Sequence, residues 1–455
     1  MIEFVNNTLL FNISLRIKHY LIGPPKPSWD LKFHQIWAMI KSMSENASTM
    51  TIEQMQSVSF QPDPTPAGVM INEFKINNKY KHEAQVHLNK ILKPYEHVLD
   101  PEWKNLKDGG INAEWVHVSN DGWEKREIRK TILYFHGGAY YLCNKDSYRN
   151  VTGSLSKWTN ARVLAIDYQL APQNPFPAAL QDALAAYLYL LNPSKDTGFE
   201  PLNPKNIVIA GDSAGGGLSL ALGLAIRDAG LPSCADDECV DFIPKFKGSN
   251  VTHAESQVLN EYKEKTAALT EKIKKQNLGP KIWHDSFDRP DGVLQFYAPN
   301  EGLAIPYVSP MLAESLGNLP PLLLVAGDEE RIRDEIIYLA HRSAEPTKYK
   351  GPSYNAGLLT LEHPSTTKSY ERTSEFINRV INSPNEPLPP SSYNCINVKG
   401  EFNHLKEHHK KVLNWEEIGI VPSITRNEFN STSHRLTPKL LISIGIVSVL
   451  AYVLY

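Results

Sequence analysis

A run of β-branched residues that leads straight into a serine bracketed by glycines constrains this chain more than any other stretch. Ile207-Val208-Ile209-Ala210 reads as a buried strand, Gly211-Asp212-Ser213-Ala214-Gly215 follows without a spacer, and Leu218 to Ala225 reads as a helix. Strand, sharp turn and helix form the setting of a nucleophile elbow, in which glycines two residues either side of a serine leave room for a strained turn that exposes its hydroxyl. Ser213 is therefore the candidate nucleophile. The N–H of Ala214, at the start of the following helix, is placed to meet negative charge on a bound carbonyl oxygen.

The 455 residues, 42% hydrophobic and 21% charged, suffice for one large α/β domain with appended ends. A net charge of -3 gives no electrostatic reason to expect a nucleic-acid partner. Cys143, Cys234, Cys239 and Cys395 lack the paired spacing of a metal site and read as reduced thiols, so no metal is expected of them.

Upstream of the elbow, Thr131-Ile132-Leu133-Tyr134-Phe135 reads as a continuous apolar strand ending in His136-Gly137-Gly138-Ala139. Glycines permit close backbone approach, so the amides of Gly137 and Gly138 are candidates, with Ala214, for an oxyanion hole. His136 reads as a loop-holding residue rather than a proton shuttle. Arg162 to Tyr168 is another buried strand, Gln169 to Pro177 a proline-pinned loop, and Ala178 to Leu191 a helix. Such alternation predicts a mostly parallel sheet with helices on both faces.

These motifs, together with Asp167-Tyr168-Gln169-Leu170-Ala171-Pro172 and Pro175-Phe176-Pro177, resemble the hormone-sensitive-lipase-like branch of α/β-hydrolases, closest to its fungal steryl-acetyl-hydrolase and arylacetamide-deacetylase-like members. The resemblance runs from about Thr131 to Ala229 and resumes around Pro320 to Tyr349. It implies an α/β-hydrolase fold, a Ser-acid-His triad with Ser213 as nucleophile, the oxyanion hole named above, and no cofactor. Pro321 to Ala326 is expected to be a strand leading to the acid loop, where the triad acid falls on Glu330 counted from Arg333-Asp334-Glu335 and on Asp328 counted from the strand. His363 is the histidine placed between that loop and a final helix at Lys368 to Val380, in the chain order this fold uses.

The chain departs from the family pattern in two places. After Pro232 it turns acidic and polar where a further parallel strand is expected, and Leu358 to Leu361 is a short stand-in for the last strand. One or two strands of the C-terminal half are thus expected to be lacking, unless a segment such as Asp291 to Tyr297 fills in.

The remaining segments divide as follows. Residues 1–108 read as an N-terminal cap or helical region: Leu9-Leu10-Phe11 is too short for a signal peptide or span, and Trp29, Phe33, Ile36, Trp37 and Ile40 fall at helical spacing after Asp30. That helix suits a cap, a membrane surface or core packing. Asn46 to Asp108 reads as loop plus one helix around His82 to Leu92, and Ala113 to Val118 as a half-buried strand opening a hydrolase domain over 109–383. A helical insert occupies about 234–290, and residues 384–435 read as a solvated linker containing His404, His408 and His409. Within 436–455, Leu440 to Tyr455 carries no charge and follows Arg435 and Lys439. At about 1.5 Å per residue it spans roughly 24 Å, enough for a C-terminal transmembrane helix in a thin bilayer. The expectation is a single-pass tail anchor, in the endoplasmic reticulum membrane, with the catalytic domain on the cytosolic side.

Taken together, the chain reads as a serine carboxylesterase or lipase acting on an apolar acyl or acetyl ester at a membrane. The alternative reading is a catalytically silent protein of the same fold that binds a small ligand or partner.

Overall fold

The computed structural model describes residues 13–38 with interruptions, 51–106, 109–118, 130–233 apart from 196, 296–326 with short interruptions, a few positions in 336–343, and 364–382, 394–396 and 400–404. Within them, helix α1 (Ile52–Ser59) precedes strand β1 (Val69–Ile76), helix α2 (Lys79–Ile91) and strand β2 (Ile111–Val118). There follow β3 (Thr131–Phe135), α3 (Arg149–Thr159), β4 (Arg162–Ile166), α4 (Ala178–Leu191), β5 (Ile207–Gly211) and α5 (Ala214–Ala229). Helix α6 (Pro364–Asn382) and strands β6 (Asn394–Ile396) and β7 (Phe402–His404) come last.

Five strands form a sheet in the order β1-β2-β4-β3-β5, with β3 parallel to β4 and β5 and antiparallel pairing from β4 through β2 to β1. The sheet is therefore mixed rather than mostly parallel. Its central strands carry apolar residues on both faces because helices cover both. Leu133, Phe135, Leu164 and Ile166 enter one core with α2, α4 and α5, while Ile132, Tyr134 and Val163 enter a second with Tyr370 and Ile377 of α6. Helix α4 is buried almost all round, and its many alanines let neighbouring helices approach closely.

Three expectations are corrected. The stretch 46–108 contains a strand and two α-helices, α1 and α2: β1 pairs with β2 over eight residues, so this part of the segment read as a cap builds the sheet. Its weak alternation, buried mainly at Val69 and Ile76, suits an edge strand and hides it from a period-two search. Ala113–Val118 is not half-buried, because β2 lies between β1 and β4; even Glu114 is fully buried. Residues 321–326 are irregular, not a strand, and among the described residues the sheet ends at β5.

The segment read as a linker contains a short antiparallel pair in which β6 lies against β7 with Asn394 opposite His404, and Ile396 is buried there. The insert over 234–290 and the run 436–455 lie outside the described residues. No helix among the described residues is long and apolar enough to cross a membrane.

Among the described residues, the buried lysines are paired. Lys81 of α2 meets Asp182 of α4 at 3.1 Å, both side chains at most 5% exposed, and Asp182 also accepts from the amide of Gln169 at 2.8 Å. Removing one partner strands a buried charge, whereas neutralising both removes the penalty. Lys81→Met is expected to lower unfolding stability by about 3 kcal/mol. Adding Asp182→Asn should recover much of that loss, as read by urea denaturation.

Candidate active site

The register of the parallel strands decides which loops meet. Phe135 is level with Gly211, so the turn leaving β3 and the turn leaving β5 emerge side by side at the carboxyl end of the sheet, where open α/β sheets place their ligands. The first turn carries His136-Gly137-Gly138; the second carries Asp212-Ser213 and leads into α5.

Ser213 sits at φ 52° and ψ -120°, a backbone conformation that L residues rarely adopt. Such strain costs on the order of 1–3 kcal/mol and persists only where the surroundings over-determine it. Here the flanking glycines do so. A Cβ on Gly215 would lie 2.0 Å from the carbonyl oxygen of Phe135, and one on Gly211 would lie 2.4 Å from that of Gly215. Only glycine lets helix α5 start this close to β3. The Ser213 Oγ is shielded from solvent and has no hydrogen-bond partner among the described residues, so a hydroxyl held by strain is also left unsatisfied by them.

The facing loop is strained in the same way. Gly138 lies at φ 109°, and a Cβ there would meet the Leu142 carbonyl oxygen at 2.2 Å; Ala139, Tyr140 and Cys143 also have positive φ. The Gly138 carbonyl accepts from the amides of Tyr141 at 3.0 Å and Leu142 at 2.8 Å, turning the chain back on itself.

Asp212 ties the two turns together. Its carboxylate accepts from the hydroxyls of Tyr134 at 2.6 Å and Tyr148 at 2.9 Å, one to each oxygen. Burial raises the carboxyl above the usual aspartate range, and the hydrogen bonds from the two tyrosines oppose that shift. A Cβ on Gly137 would lie 2.5 Å from Asp212 Oδ2, so only glycine fits beside that carboxylate. Gly137 and Gly138 lie on the loop after β3, and Ala214 starts α5.

His136 is 2% exposed and stacks on Tyr168 with ring centroids 4.2 Å apart. Its Nδ1 lies 2.6 Å from the Gly137 carbonyl oxygen, while the Tyr168 hydroxyl donates to the His136 carbonyl at 2.8 Å. Burial lowers its pKa to about 4, against the opposing pull of the Gly137 carbonyl, so the ring is neutral and serves the loop, in keeping with the structural role read from sequence.

Asp328, Glu330 and His363, the expected acid and base, lie outside the described residues. Among the described residues, Glu73, Glu114 and Asp146 are the carboxylates close enough together to hold an ion, but Arg149 and Lys145 already pair with all three. Sequence reading passed over Asp212, Tyr134 and Tyr148. The signal for Asp212 was present in Gly211-Asp212-Ser213, but a carboxylate beside a candidate nucleophile has no assignable role until its partners are known.

Residues 132–349 match the model of a family described by the alpha/beta hydrolase fold. An acetyl-hydrolase of Streptomyces hygroscopicus is 32% identical over 227 residues, 50% of this chain and 64% of that protein. A carboxylesterase of Mycobacterium tuberculosis is 34% identical over 130 residues, 29% of this chain and 38% of its own length. The chain thus spans less than two thirds of either relative. A solved structure titled "Structure of arylesterase" is 19% identical, covering 79% of this chain and 99% of that one at a TM-score of 0.49.

A histidine whose folded pKa is depressed takes up protons more readily once unfolded, so stability is full above its ordinary pKa of 6.5 and declines as pH falls toward about 4. Relative to His136→Gln, the wild type is expected to lose about 2 kcal/mol between pH 7 and pH 5, measured by chemical denaturation at both values.

Proposed function

We propose, on the premise that residues 132–349 belong to the α/β-hydrolase-fold family, of the hormone-sensitive-lipase-like kind, that the chain is a serine carboxylic-ester hydrolase. The observation that carries this reading is the Ser213 hydroxyl, without a hydrogen-bond partner among the described residues and held at positive φ on the turn beside the Gly138 loop. A group that is strained, unsatisfied and flanked by backbone amides suits a nucleophile poised for a carbonyl.

In the reaction, Ser213 Oγ attacks the ester carbonyl carbon and its proton passes to a general base. The carbonyl π electrons move onto the oxygen, and the amides of Gly137, Gly138 and Ala214 donate to the resulting oxyanion. Collapse of this intermediate breaks the ester C–O bond, and the alcohol leaves with the proton. Water then attacks the acyl-serine by the same route, releasing the carboxylic acid and restoring the hydroxyl. We assign the base to His363, oriented by Glu330 or Asp328, on chain order and on the resemblance of their surroundings to the family's acid loop. Asp212 positions the two turns and touches no reacting atom.

For substrate we infer an acetyl or short acyl ester of an apolar alcohol, such as an acetylated sterol or short acylglycerol; the acetyl-hydrolase relative supports a small acyl group. The uncharged run from Leu440 to Tyr455, preceded by Arg435 and Lys439, supports a C-terminal anchor in the endoplasmic reticulum membrane with the catalytic domain cytosolic. An anchor of that kind would bring the domain to esters dissolved in the bilayer.

The deciding measurement is turnover of p-nitrophenyl acetate by the full chain beside Ser213→Ala, with fluorophosphonate labelling of both. A fall of about 10³-fold or more in kcat and labelling confined to the wild type are expected. Equal background turnover and no label on either protein would sink the hydrolase reading and favour a ligand-binding protein of this fold.

A further inference from the structure

The loop from Gly138 to Cys143 is strained, and its own turn satisfies only part of its backbone. The rest is met from far earlier in the chain. Gln56 of α1, 8% exposed, donates from Nε2 to the Tyr141 carbonyl at 3.0 Å and lies 3.4 Å from that of Ala171. It pairs reciprocally with the side-chain amide of Gln173, at 3.2 Å in one direction and 3.0 Å in the other. One turn on, Ser59 Oγ accepts from the Cys143 amide at 2.9 Å and donates to the Gln56 carbonyl at 2.9 Å.

Helix α1 can serve as such a fixture because its own ends are satisfied. Thr51 and Gln54 form a reciprocal capping box, the Gln54 amide reaching Thr51 Oγ1 at 3.3 Å and the Thr51 amide reaching Gln54 Oε1 at 2.9 Å. The Ala171 amide, in the loop that carries Gln173, donates to the Tyr140 carbonyl at 2.9 Å. Three positive-φ residues, Ala139, Tyr140 and Cys143, thus stand within a frame fastened by α1 on one side and the 169–177 loop on the other.

We propose that Gln56 and Ser59 are positioning residues that clamp the 138–143 loop, so that the direction of the Gly138 amide depends on hydrogen bonds from α1. The inference rests on the hydrolase reading above and extends it to a segment outside residues 132–349, the region that matches the family model. An amide that must meet an oxyanion at hydrogen-bonding distance loses effect if its loop relaxes by about 1 Å. Ground-state substrate binding depends far less on that distance, so the clamp is expected to act on kcat rather than KM.

The test uses the full-length protein with Gln56→Met, which keeps side-chain length without a donor, and Ser59→Ala and Ser59→Thr. Turnover of p-nitrophenyl acetate is expressed per fluorophosphonate-titrated Ser213, so that a smaller folded fraction does not count as slower chemistry. Amide hydrogen exchange of 138–143 is measured alongside. Gln56→Met and Ser59→Ala are expected to lower kcat about tenfold or more with KM within about twofold, and to speed exchange in the loop. Ser59→Thr, which retains the hydroxyl, should restore most of kcat. Should Gln56→Met fail to fold, Ser59→Ala, a loss of one hydroxyl, carries the test alone. Unchanged kcat per titrated site overturns the clamp while leaving the hydrolase reading intact; a wild type with neither turnover nor label overturns both.

Discussion

The start of helix α5 lies against the end of strand β3 with no side chain between them. That contact requires glycine at 215, whose missing Cβ would otherwise fall 2.0 Å from the Phe135 carbonyl oxygen, and it brings the turn after β5 beside the turn after β3. The rest of the site follows from it. Ser213 takes positive φ because the chain must reverse from strand to helix in two residues while α5 stays close to the sheet. Gly138 and its neighbours face it because Phe135 and Gly211 are in register.

Polar chemistry then reinforces what the glycines permit. Asp212 gathers the hydroxyls of two tyrosines, Tyr134 and Tyr148, beside Gly137. A carboxylate taken out of water is costly unless it is hydrogen-bonded, and the two hydroxyls meet one oxygen each. His136 takes the opposite solution: buried and neutral, it gives its aromatic face to Tyr168 and its Nδ1 to a neighbouring carbonyl. Both residues stiffen the loops that flank Ser213 and leave its hydroxyl alone.

The N-terminal segment contributes to the same structure. Strand β1 extends the sheet, α2 brings Lys81 to the buried Asp182, and α1 reaches over the loop after β3 with Gln56 and Ser59. The contacts of α1 join residues separated by 84 to 115 positions, Cys143 to Ser59 and Tyr141 and Ala171 to Gln56, and no local pattern announces them. Their effect is to make the geometry of the candidate site a property of the fold well outside residues 132–349.

The sequence by itself determined the local events. Runs of apolar β-branched residues specified β3, β4 and β5, alanine and leucine specified α4, and the glycines at 211, 215 and 138 marked the turns that need them, because these choices depend on neighbours within a few residues. Tertiary structure decided what long-range pairing decides. The antiparallel place of β1 and β2, the full burial of Glu114 and the failure of 321–326 to form a strand depend on which surfaces meet, as do the meeting of Tyr134 and Tyr148 at Asp212 and the reach of Gln56 into the loop. A hydrogen bond between distant residues leaves no periodicity in the chain, so it becomes legible only when the sheet has set its partners side by side.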